Sequence, residues 1–76
     1  MSEEIQIRMG AMAPSLVEQL VPYGVSIGTA TRLENLNKAI TGLRLGDLLP
    51  DAQAKKCRDK LFKQIEKELQ RAGAHQ

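Results

Sequence analysis

The chain has no Trp, and only one Phe, one Tyr, one Cys and one His among its 76 residues. Each shortage excludes something. With two aromatic rings, the core has to come from Leu, Ile, Val, Met and Ala, and single-stranded nucleic acid has few side chains on which to stack its bases. One cysteine rules out an internal disulfide and fits a reducing, cytoplasmic setting, where a lone Cys serves as a small core residue. The single histidine is His75, with no second His or Cys at metal-ligand spacing and no nucleophile placed beside it. No stretch approaches the roughly 20 apolar residues of a membrane span. The start Met1-Ser2-Glu3-Glu4 is acidic, unlike a secretory leader. Gly24 and Gly28 bracket a Ser, but no phosphate-loop pattern with a Lys follows. These absences lead to the expectation of a non-enzymatic, cytoplasmic chain with no catalytic residue, metal, cofactor, membrane contact or small-molecule substrate.

What is present is helical periodicity. Residues 51–72 carry Ala54, Cys57, Leu61, Ile65 and Leu69 at three- and four-residue steps, with Phe62 widening the stripe. No Gly or Pro interrupts them, and Arg71-Ala72-Gly73 supplies a basic last turn and a stop. Asp47 or Asp51 is the expected N-cap beside Pro50, and Asp51–Lys55 and Asp59–Lys63 are spaced for ion pairs. The same segment holds seven basic and four acidic residues, against four and five in the remainder. Its outer face offers Lys56, Lys60, Lys63 and Lys67 as a candidate partner-binding surface. The plain alternative is a solvated face, since Asp59, Glu66 and Glu68 break up the basic run in sequence.

The front of the chain is less regular. Residues 4–9 alternate polar and apolar, which predicts a short strand; the alternative is a flexible arm over residues 1–13. Val25-Ser26-Ile27 is one possible strand partner and a second subunit the other. Ser15-Leu16-Val17-Glu18 and Thr31-Arg32-Leu33-Glu34 read as capping boxes, opening helices near 15–21 and 31–43. Pro22 ends the first of them. Gly46-Asp47-Leu48-Leu49-Pro50 is then a turn, so the last two helices form an antiparallel hairpin. The expected fold is one small, mostly α domain over residues 1–76, with the tail at 74–76. Its expected core is Leu16, Leu20, Leu33, Leu36, Ile40, Leu43, Leu48, Leu49, Cys57, Leu61, Phe62, Ile65 and Leu69.

Two families resemble parts of this pattern. Leu48-Leu49-Pro50-Asp51-Ala52-Gln53-Ala54, leading to Arg58, Lys60-Leu61-Phe62 and Ile65, resembles the SHOCT-type helical hairpin, with similar hairpins in small phage and prophage proteins. The likeness covers residues 36–65 and departs at Asp47, Gln53 and Ala54. It implies an oligomerisation or docking role and brings no catalytic residue. Residues 4–43, with Ile5-Gln6-Ile7-Arg8-Met9 followed by two helices, are similar to ribbon–helix–helix repressors. That resemblance implies paired strands presenting Glu4, Gln6 and Arg8 to the major groove, with Gln6 and Arg8 as the DNA contacts. Pro22, the long Gly24–Thr31 connection and Glu4 depart from that family.

The functional expectation is therefore a protein-interaction and oligomerisation module: a small regulator or inhibitor that pairs with itself, docks on a larger protein, or both. A chain this small buries only about 60–65% of its unfolded surface, and association is a common remedy. If the long helix overhangs its partner helix, Ile65 and Leu69 are the expected dimer contacts. The alternative is a dimeric DNA-binding regulator of ribbon–helix–helix type.

Overall fold

Among the described residues, two serines and a proline open three α-helices, and three residues in the left-handed region follow their ends. The computed structural model describes residues 6–10 and 12–73. Helix α1 is Leu16–Leu20, continued by a 3₁₀ turn at Val21–Tyr23; α2 is Ile27–Leu45 and α3 is Asp51–Arg71. The fold is mostly α, and no strand occurs among the described residues.

Ser15 behaves as expected: its Oγ accepts the Glu18 N–H at 3.2 Å. The second helix starts earlier than the Thr31 box predicts. Ser26 is its cap, accepting the Thr29 N–H at 3.2 Å and donating its hydroxyl proton to Thr29 Oγ1 at 3.0 Å. No Pro stands between Ile27 and Thr31, and the Ser26 cap carries the helix through Gly28, so Val25-Ser26-Ile27 is a helix entry and not a strand. Neither Asp47 nor Asp51 caps α3. Pro50 stands at the cap position, its carbonyl accepting the Ala54 N–H at 2.9 Å, and Asp51 is the first helical residue.

The exits share one device. Gly24, Asp47 and Gly73 have φ of 99°, 58° and 77°. After α1, the N–H of Gly24 reaches the Val21 carbonyl at 3.0 Å and that of Val25 the Leu20 carbonyl at 3.3 Å. After α2, Asp47 N–H reaches Arg44 at 3.1 Å and Leu48 N–H reaches Leu43 at 2.9 Å. Both are Schellman motifs, which satisfy the last carbonyls of a helix and turn the chain sharply.

Helix α2 packs against both α1 and α3. The N-terminal half of α2 lies beside the C-terminal half of α3, where Arg32 and Leu36 share a groove with Gln64 and Arg71. Gly24 approaches Ala72 at the same end, and Arg44 meets Asp51 at the other. The core is Leu16, Leu20, Val25, Ala30, Leu33, Leu61, Ile65 and Leu69, with Ile7, Met9, Val17, Ile40 and Ala72 packed on it. Each fully buried large side chain contributes about 1.5–3 kcal/mol by leaving water.

The expected core is thus partly corrected. Val25, Ala30 and Ala54 are buried, whereas Leu36, Leu43, Leu48 and Phe62 are exposed and Ile40, Leu49 and Cys57 lie in between. The cause is the row that α2 turns inward. It runs Ala30, Leu33, Asn37, Thr41, Arg44, so its second half is polar and half-buried. The apolar core is therefore confined to the end where α1 sits.

The N-terminal segment keeps its alternation without forming a strand. Ile7 and Met9 face the core, while Gln6 and Arg8 face water. Residues 4 and 5 of the expected strand, and the 74–76 tail with His75, lie outside the described residues.

Candidate functional site

Helix α3 buries its strongly amphipathic inner face, so its polar face stays available. Lys56, Lys60, Lys63 and Lys67 are all exposed there, spaced four, three and four residues apart. That spacing keeps them on one side of the helix. Arg71 continues the row at the C-terminal end, where positive charge also complements the helix dipole. Arg32 approaches from α2, and a groove of about 380 Å³ lies between the helices, lined by Arg32, Leu36, Gln64, Lys67, Glu68 and Arg71.

Acidic neighbours do little to neutralise this row. Among the described residues there are two ion pairs: Arg44–Asp51 at 3.9 Å and Arg71–Glu68 at 3.4 Å. The expected Asp51–Lys55 and Asp59–Lys63 pairs are not among them. Asp51 instead points across the turn to Arg44, and both observed pairs are solvated enough to be worth about 1 kcal/mol or less. The buried Nε of Arg44 has no hydrogen-bond partner.

A second surface lies at the opposite end from the core. Leu43, Leu45 and Leu48 are 42%, 73% and 76% exposed around the turn between α2 and α3. Isolated exposed leucines are ordinary; several at one end of a small domain are less so.

The expected dimer contacts do not survive. Ile65 is 0% and Leu69 2% exposed, because α1 and the N-terminal half of α2 cover the end of α3 that the shorter expected helix left bare. Extending α2 back to Ile27 removes the overhang. The candidate DNA contacts Gln6 and Arg8 are both exposed. They sit on an extended segment held by Gln19, whose side chain bonds the Arg8 backbone. Glu4 lies outside the described residues.

Two residues that organise the fold escaped the sequence reading. Gln19 anchors the arm. Glu34, read as the end of a capping box on its own helix, instead accepts the Leu16 N–H at 2.6 Å and so caps α1 from α2. Their residue types carried no signal for these long-range roles.

The described residues contain no group of three His, Cys, Asp or Glu placed to hold a metal ion. Cys57 is a half-buried free thiol. Among the described residues, no helix is long and apolar enough to cross a membrane. Comparisons with protein-family models, with curated proteins and with solved structures return no match.

Proposed function

We propose that this protein is a non-enzymatic interaction module, a helical hairpin that presents its apolar turn to a protein partner. The partner is a second copy of the chain or a larger protein, in the manner of a small phage-type regulator or inhibitor. One observation carries the reading: Leu43, Leu45 and Leu48 are each exposed around the turn, on different sides of the end the core does not reach. Covering three leucines releases on the order of 5 kcal/mol of apolar hydration, enough to drive weak association before the costs of ordering.

Solution mass tests it. Sedimentation equilibrium of the full chain should show concentration-dependent dimers. The double variant Leu45→Glu, Leu48→Glu should be monomeric with unchanged helix content, since neither residue supports the core. A wild-type chain that stays monomeric at every concentration removes the self-association half of the reading. Dimers that persist in the double variant remove this surface.

A further inference from the structure

We propose that the outer stripe of α3 binds the backbone of duplex nucleic acid without regard to sequence. In sequence, the acids of α3 interrupt its lysines. On the helix they do not. At 100° per residue, Lys63, Lys56, Lys67, Lys60 and Arg71 fall within a sector of about 80°. Gln53 is the only other residue of α3 in that sector. Asp59 and Glu66 lie outside it, on one side. Glu68 lies on the core side and is half-buried. The five cations extend over about 22 Å of helix, one every 4.5–6 Å or so. All five are exposed, and only Arg71 has a carboxylate partner among the described residues. Arg32 flanks the far end of the row across the groove.

The chemistry of this stripe selects its partner. Protein interfaces are built round an apolar, aromatic-rich centre and are depleted in Lys, and the stripe has no apolar residue. Binding at a lipid surface by an amphipathic helix needs the apolar face free, and Leu61, Ile65 and Leu69 are in the core. Single strands are held by stacking on aromatic rings, and Phe62 lies on the other flank of α3. What remains is a straight row of flexible point charges, suited to phosphates on a rigid duplex. Lysines in place of arginine forks favour position over base reading. The inference is independent of the apolar turn.

The test is fluorescence anisotropy of the full chain with short duplexes of two unrelated sequences. Both should bind alike, and affinity should fall several hundred-fold between about 50 and 200 mM salt, a log–log slope near −4.5 for five phosphate contacts. Lys60→Gln with Lys67→Gln should reduce the slope by about 2. Lys38→Gln with Lys55→Gln makes the same change in net charge off the stripe and should leave the slope nearly unchanged. Lys60→Arg with Lys67→Arg should retain binding. Four results would each overturn the proposal: no binding at the lowest salt, equal loss in the two Gln pairs, tenfold preference for one sequence, or tighter binding to polyglutamate or anionic vesicles than to duplex.

Discussion

The side-chain amide of Gln19 binds both backbone groups of Arg8: Nε2 donates to the Arg8 carbonyl and Oε1 accepts the Arg8 N–H, each at 2.8 Å. Nε2 also donates to the Pro14 carbonyl at 2.9 Å. The paired bonds to Arg8 are those an antiparallel strand neighbour would provide. A single side chain thus holds the arm straight and keeps Ile7 and Met9 against the core. Gln19→Ala should cost about 1–2 kcal/mol, and Gln19→Glu a similar amount because a carboxylate cannot donate to two carbonyls. The sharper readout is hydrogen exchange: the Arg8 amide should exchange much faster in either variant. An unchanged rate would show that Gln19 does not hold the arm.

Glu34 ties α1 to α2 through the Leu16 N–H. A charged acceptor on a helix's first N–H is a strong cap, so Glu34→Ala should destabilise by about 1–3 kcal/mol in urea unfolding. Glu34→Gln keeps an acceptor and should lose about half as much. Equal losses would mean that the contact works through packing and not through the hydrogen bond.

Asp47 and Gly24 occupy the same kind of position with different residues. The left-handed region costs an L-residue about 1–2 kcal/mol, and Asp is among those that bear it best. Asp47→Gly should therefore raise stability by about 0.5 kcal/mol. Gly24→Ala should lower it by more than about 1 kcal/mol, because φ is 99° and the added Cβ would lie 3.4 Å from that of Ala72. A thermal melt of each variant reads both signs.

The orphaned Nε of Arg44 lies in the inward row of α2. Its ion pair with Asp51 is long at 3.9 Å and mostly solvated. Arg44→Leu should stabilise the fold by about 1 kcal/mol, replacing an unsatisfied donor with an apolar side chain. A loss of stability would assign Arg44 a contact stronger than the one observed.

Ile65→Ala and Leu45→Ala separate the core from the turn. The first removes a fully buried side chain and should cost about 2–5 kcal/mol. The second removes an exposed one and should stay within about 0.5 kcal/mol at concentrations where the chain is monomeric. Chemical denaturation of both, side by side, checks where the core is.

The sequence showed α3 clearly because its burial pattern has one partner direction and no competing signal: Leu61, Ile65 and Leu69 repeat on one face. It showed α1 for the same local reason, the Ser15 cap. Helix α2 was harder. Its apolar residues point several ways, with Ile27 and Leu45 on one side and Leu36 and Leu43 on another, so the spacing of leucines misidentified the inward row. The Thr31 capping pattern was decoy chemistry inside a helix already begun at Ser26. The basic face of Lys56, Lys60, Lys63 and Lys67 was legible in the sequence; its separation from Asp59, Glu66 and Glu68 was not, because acids adjacent in number are turned away by the helix. Gln19 and Glu34 act on residues distant in the chain, and no local pattern announces such partners.

The core is completed by the last two turns of α3, which supply Ile65 and Leu69 against Leu16, Leu20 and Leu33. During translation, α1 and α2 emerge before α3 and can cover each other only in part. Neighbouring segments alone cannot close the molecule, since the turn at 46–50 is where the interior is poorest. The full core can therefore close only once Leu69 is present, so folding is completed from the far end of the chain's last helix.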